Sequence, residues 1–201
     1  MIRVLIAEDQ ATIRGALAAL LSDEPDIEVV AQVERGDQVL VAAIESKPDV
    51  ALLDIEMPGA DGMDAAAELR RHAPSVRSLI LTVFGRPGYM YRAIESGVQG
   101  FLLKDSPPDQ LAVAIRRAVA GEMVFDPKLA ISALNEGQSP LTAREREVLS
   151  LSEDGATVEV VAAALSLSTG TVRNHLSLAI QKLNAHNRVA AARIARSKGW
   201  L

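Results

Sequence analysis

The chain has no cysteine among its 201 residues. Disulfide staples and cysteine-ligated zinc are excluded, and a reducing, intracellular setting is favoured. Nor does any apolar run reach the roughly 18 residues that a membrane-spanning helix needs. The opening MIRVLIAEDQ has one short apolar stretch ending in Glu8 and Asp9, too short for a secretion signal and without a cleavage site. Internal repeats and low-complexity tracts are missing too. These absences lead us to expect a cytoplasmic protein that makes no membrane contact. The length allows one or two domains at roughly 100–200 residues each. A hydrophobic content of 49% suffices for packed cores.

Positive charge is scarce in the front of the chain. Residues 1–140 hold 13 Lys and Arg against 21 Asp and Glu, a net −8, whereas residues 141–201 hold 8 against 5, a net +3. A polyanionic partner would meet only the second part, although chance also produces such asymmetries.

Five short apolar runs are each followed by a helical pattern. VLIA (4–7) precedes 11–21, IEVVA (27–31) precedes 37–45, and VALLD (50–54) precedes 63–71. SLILTV (78–83) precedes 89–95, and GFLLKD (100–105) precedes 109–120. Continuous apolar strands alternating with amphipathic helices predict a parallel sheet buried on both faces, in a doubly wound α/β fold of five strands. Residues 1–120 form the expected first domain. Residues 121–140, loose in Gly, Pro, Ser and Asn, read as a linker. From 141 to 201 four helices and no strand are expected, at about 143–153, 157–164, 169–182 and 188–198, giving a small all-α domain.

The strands end in polar residues: Glu8-Asp9 after the first, Asp54 after the third, Thr82 after the fourth and Lys104 after the fifth. Open parallel sheets bind ligands outside the carboxyl ends of their strands, so these four terminations converge. Three carboxylates at close range need a cation, and oxygen donors without Cys or His select a hard ion such as Mg²⁺. Lys104 is a compact charge suited to a phosphoryl group, and Thr82 offers a hydroxyl. The set is suited to forming and holding an aspartyl phosphate, with Asp54 as the nucleophile.

IAEDQ, LLDIEMPGADG, LILTVF and GVQGFLLKD, in that order and spacing, resemble the receiver domain of bacterial response regulators over about residues 1–120. The resemblance implies that Asp54 accepts phosphate from a sensor histidine kinase. It implies that Asp9 and Asp54 hold Mg²⁺, with Glu8 nearby and the backbone carbonyl of Glu56 completing the site. Thr82 and Lys104 would bind phosphoryl oxygens. Phe101 takes the place of the switch aromatic that swings inward with Thr82. Asp105 stands where many receivers have proline, which argues against a cis peptide there.

In the tail, Thr142 and Glu145 have the spacing of a capping box. VVAAALSLSTGTVRNHLSLAIQKL reads as helix, tight turn, helix, with Ser168 as the second N-cap. At 100° per residue, Val172, Leu176, Ala179, Ile180 and Leu183 face inward, while Gly170, Arg173, Asn174, Ser177 and Gln181 face outward. That outer face suits a major groove, and it also suits plain solvent. LTAREREVL, TVRNHL, QKL and NR resemble the LuxR-type helix-turn-helix, and a receiver joined to it resembles the NarL/FixJ type of response regulator. The resemblance implies base reading by Arg173, Asn174 and Ser177 and phosphate contacts by Thr169, Thr171 and Lys182 on double-stranded DNA. It assigns His175 to packing or backbone bonding, and the helix from Arg188 to dimerisation. Val160 stands where the family usually has glutamate. Within this type, TVFGRPGYMYRAIESGVQGFLLKDSP and the closing ARSKGW look most like regulators of membrane-lipid desaturation that respond to cold.

A phosphorylation-switched transcription regulator is therefore expected, not an enzyme, with a homodimer forming on phosphorylation or on DNA. The alternative is a Mg²⁺-dependent aspartyl-phosphate phosphatase. Such enzymes carry the nucleophile on the first strand with an acid two residues on; Glu56 follows Asp54 by two, but that reading leaves the basic tail without a purpose. A flavin-binding module is disfavoured, because crowded carboxylates repel its phosphate.

Overall fold

The computed structural model describes the chain except for residues 84–85, 106, 128–129, 132–138 and 154. Two compact units result, one formed mainly by residues 1–130 and the other mainly by 131–201.

In the first unit, β1 (Ile2–Ala7), β2 (Ile27–Val33), β3 (Val50–Asp54), β4 (Arg77–Thr82) and β5 (Gly100–Leu103) alternate with α1 (Ala11–Ser22), α2 (Val39–Ser46), α3 (Gly62–His72), α4 (Pro87–Ser96) and α5 (Pro108–Val119). The strands are parallel in the order β2-β1-β3-β4-β5, and a sixth, β6 (Val124–Phe125), is added beside β5. All five residues of β3 are buried, as expected for a strand covered on both faces. Val4, Ile6, Val50, Leu52, Leu79 and Leu81 pack with Leu21 of α1 and Leu111 and Ile115 of α5. Because side chains alternate along a strand, the intervening residues face α2 and α3.

The helices begin and end within two residues of expectation, and the second differs in how it begins. There Gly36–Gln38 forms a 3-10 turn and the α-helix starts only at Val39. The sheet has six strands rather than five. Gly121, at φ +86°, turns the chain back, and Val124 and Phe125 pair with Gly100 and Phe101 inside the stretch read as a linker. Two residues are too few to show a period of two. Gly100 carried the signal: a Cβ there would lie 2.4 Å from the Val124 carbonyl oxygen, so the added strand requires glycine. Residues 128–129 and 132–138 of the expected linker lie outside the described residues.

The second unit packs α6 (Ala143–Leu151), α7 (Val158–Leu165), α8 (Thr169–Lys182) and α9 (Arg188–Ser197) around Val148, Leu149, Val161, Val172, Leu176, Ala179 and Ala191. Each helix starts at a side-chain cap. Thr142 and Glu145 form the reciprocal box, with Glu145 N–H donating to Thr142 Oγ1 (3.2 Å) and Thr142 N–H to Glu145 Oε2 (2.8 Å). Ser168 Oγ accepts from Thr171 N–H at 3.0 Å. Between α7 and α8, Ser166 adopts φ +53° and makes the turn tight. No helix among the described residues is long and apolar enough to cross a membrane.

Candidate functional site: an acidic pocket and a helix-turn-helix

The strand order reverses between β1 and β3, which is the switch point where ligands bind. Ala7 pairs with Leu53, so Glu8 and Asp9 leave the sheet beside Asp54. Asp54 in turn pairs with Leu81, and Thr82 with Leu103, which sets Thr82 and Lys104 on the other side. Glu8, Asp9 and Asp54 each offer a carboxylate oxygen, all within 4.8 Å of one another. Glu8 is 1% and Asp54 7% exposed, whereas Asp9 is exposed. Two oxygens bound directly to one Mg²⁺ lie at most about 4.2 Å apart, so a shift under about 1 Å or a metal-bound water closes the difference. The donor set, oxygen only and rich in carboxylate, fits that ion.

Lys104 is held inside the acidic cluster. Its Nζ lies 2.5 Å from Glu8 Oε2 and 3.0 Å from Asp54 Oδ1, bridging two buried carboxylates. Burial pushes the Asp54 carboxyl up to about 6; the charge and hydrogen bond of Lys104 pull it down, and the Glu8 charge adds to the rise. Asp54 Oδ1 also accepts the Ile55 N–H at 2.8 Å. Thr82 is 4% exposed, and its carbonyl accepts the Lys104 N–H at 2.8 Å. Phe101 is fully buried on β5, where it pairs with Ile80 of β4. Glu56 lies in the exposed turn after Asp54, where Gly59 at φ +85° reverses the chain. No cis peptide occurs among the described residues, Asp105 included.

Sequence reasoning missed Arg14. Its Nη1 donates to the Glu8 carbonyl at 2.6 Å and the Asp9 carbonyl at 3.5 Å, holding the loop that presents both acids. An arginine one turn into the helix that follows an acid pair was the available signal.

Because Lys104 already neutralises part of the pocket, a cation and the lysine compete there. Lys104→Ala should therefore bind Mg²⁺ more tightly than the wild type, by about tenfold or about 1.4 kcal/mol, in a titration followed by thermal stability. Unchanged or weaker binding would mean that the Lys104 contact does not oppose the metal.

On α8, Arg173, Asn174, Ser177 and Gln181 are exposed and Thr169 and Thr171 half-buried, while Val172, Leu176, Ala179 and Leu183 are buried as the helical arc predicted. Arg173 Nη2 lies 3.7 Å from Glu159 Oε1 across α7. His175 is half-buried, and its Nδ1 has no hydrogen-bond partner among the described residues, which fits a packing role. Val160 is 59% exposed. Lys182 differs from the other expected DNA contacts: its Nζ lies 2.7 Å from Oε2 of the buried Glu145 and so ties α8 to α6.

This pocket and this helical unit define a class. Residues 4–116 match the response regulator receiver domain, and residues 139–195 match the luxR family of bacterial regulatory proteins. The chain belongs to the two-component response regulators of NarL/FixJ type, with a LuxR-type DNA-binding domain. It is 47% identical to the uncharacterized transcriptional regulatory protein YvfU of Bacillus subtilis over 201 residues, covering all of both chains. It is 44% identical to the transcriptional regulatory protein DesR of the same organism over 200 residues, covering 100% of this chain and 99% of DesR. Among solved structures it resembles the response regulator ChrA of a heme-sensing two-component system (32% identity, TM-score 0.59, 100% and 98% covered). It also resembles RcsB of Salmonella enterica serovar Typhimurium, solved on the rprA promoter with the phosphomimetic BeF3− (25% identity, TM-score 0.73, 96% and 97% covered). These relatives are regulators rather than enzymes, which sets the phosphatase reading aside.

Proposed function

We propose that the chain is switched by phosphorylation of Asp54 and then controls transcription through α8. Residues 1–120, extended by β6, act as receiver, the rest of 121–140 as connection and 141–201 as DNA-binding domain. The observation that carries this reading is the convergence of Glu8, Asp9, Asp54 and Lys104 at the carboxyl ends of three strands, in a chain that also carries a helix-turn-helix.

A carboxylate oxygen of Asp54 attacks phosphorus, and the phosphorus–nitrogen bond of a sensor histidine kinase's phosphohistidine breaks as the new phosphorus–oxygen bond forms. Asp9, Asp54 and the Glu56 carbonyl would hold Mg²⁺, with Glu8 in support; bound there, the ion neutralises charge on the phosphoryl oxygens. Lys104 turns from Glu8 toward the phosphoryl group, and the Thr82 hydroxyl donates to it. Phe101, buried beside β4, packs under the site and responds to Thr82.

The +3 tail on a −8 front end binds DNA weakly as a monomer. Two tails on half-sites about one helical turn apart act at high effective concentration, so a homodimer is the active form. Either α1 with α5, or α4, β5 and α5, supplies its receiver contact. Arg173, Asn174 and Ser177 read base edges, and Thr169 and Thr171 fix the register on phosphates. The chain acts in the cytoplasm, beside the chromosome.

Acetyl phosphate with Mg²⁺ should add one phosphoryl group, and sedimentation should then show dimer where the unmodified chain is monomer at equal concentration. A single phosphoryl group with no change in mass distribution would reject the dimer switch while leaving Asp54 as acceptor; no uptake would reject both.

A further inference from the structure

Asp61 joins two helices of the receiver through one carboxylate. Oδ1 accepts the N–H groups of Met63 (2.9 Å) and Asp64 (2.8 Å) and so caps α3. Oδ2 accepts from Arg92 Nη2 of α4 at 2.5 Å. The two side chains are only 29% and 17% exposed, so this pair is less screened than an ordinary surface pair. The next residue, Gly62, lies against the phosphoacceptor's own backbone. A Cβ at Gly62 would lie 2.0 Å from the Asp54 carbonyl oxygen, and the Gly62 N–H donates to the Ile55 carbonyl at 3.0 Å. Close-packed backbone passes on a displacement rather than absorbing it. A shift at Asp54–Ile55 therefore moves Gly62 and Asp61, and the guanidinium held by Asp61 moves with them.

We propose that Asp61 and Arg92 are the positioning pair through which the state of Asp54 sets α4. The pair holds α4 in the arrangement that goes with Lys104 bound to Asp54, and phosphorylation weakens it. This rests on Asp54 being the phosphoacceptor. The pair itself touches neither metal nor phosphoryl group; it acts through α4 alone.

Beryllofluoride with Mg²⁺ serves as the phosphoryl probe on the full chain. Hydrogen–deuterium exchange of residues 87–96 and the beryllofluoride Kd are the readouts. Asp61→Asn keeps a capping oxygen and removes the charge; Arg92→Met keeps the stem and removes the cation. Both should speed exchange in α4 before beryllofluoride is added and erase most of the change that the wild type shows on adding it. By reciprocity of coupling, both should tighten beryllofluoride binding by roughly threefold to tenfold. The double variant should match either single one, because the two act as a unit. Arg92→Lys, which restores the charge, should recover much of the wild-type response. A purely structural tie would speed α4 exchange equally with and without beryllofluoride and leave its Kd at the wild-type value; that result, or weakened binding, overturns the proposal. A wild type that binds no beryllofluoride would instead defeat the reading of Asp54 itself.

Discussion

Asp54→Asn should take up no phosphoryl group and, in divalent-free buffer at pH 7, should melt above the wild type. The loss of labelling follows from removing the nucleophile. The gain in stability follows from burial. The Asp54 carboxyl is raised from 3.8 to about 6 because a 7%-exposed anion is poorly solvated, and Lys104 offsets only part of that cost. A raised folded-state value means that the folded chain holds the proton more tightly than the unfolded chain. This stabilising effect is complete below the unfolded value and is lost as pH rises toward about 6. At pH 7 the wild type therefore carries a penalty of at most about 3 kcal/mol, which an amide at position 54 does not carry. Mg²⁺ should narrow the gap by stabilising the wild type but not the variant. Equal melting of the two proteins without divalent ions, or labelling of the variant at the wild-type rate, would contradict this account of the pocket.

Lys182→Met should destabilise the second domain by about 2–3 kcal/mol, whereas Arg173→Ala should leave its stability unchanged. Glu145 is 2% exposed and is held by Lys182 Nζ at 2.7 Å and the Thr142 N–H at 2.8 Å. Burial pushes the Glu145 carboxyl up, but the hydrogen bonds from Lys182 and Thr142 outweigh it and hold the group below the usual carboxylate range. Removing the lysine strands a buried charge, and breaking such a pair costs about 3–5 kcal/mol; the partial exposure of the lysine trims that figure. Since the folded-state value is depressed, this contribution is present above the unfolded value of 4.5 and lost as pH falls below it. Its pH dependence is thus opposite in sign to that of Asp54. Trp200, the chain's single tryptophan, belongs to the core of this unit, so its fluorescence follows the transition. Among the described residues Arg173 has a 3.7 Å contact with a solvated partner, which contributes little to folding. Its loss should cost about 1–3 kcal/mol of specific DNA affinity instead. A Lys182 variant as stable as the wild type but weakened on every DNA sequence would leave this residue as a phosphate contact alone, without a structural role.

These outcomes mark how far each part of the molecule was legible. The alternation of continuous apolar runs with helical patterns was enough for the parallel sheet, because strands buried on both faces cannot be built from any other composition. Caps were equally plain: Thr142, Ser168 and Glu145 satisfy backbone groups within three residues, and interactions that local are written in spacing. Glu8, Asp9, Asp54 and Lys104, which lie together at the strand ends, were legible as neighbours because parallel strands must finish together. By itself the sequence therefore determined the parallel α/β sheet followed by a helical unit, the helix limits to within about two residues, and the nearness of the acidic strand ends. Only the tertiary structure decided the pairings inside it: Lys104 on Glu8 as well as Asp54, Lys182 on Glu145, Arg92 on Asp61, and the short β6 against Gly100. These partners lie tens of residues apart, and which carboxylate a long, flexible cation reaches depends on angstrom-scale packing that no periodicity encodes.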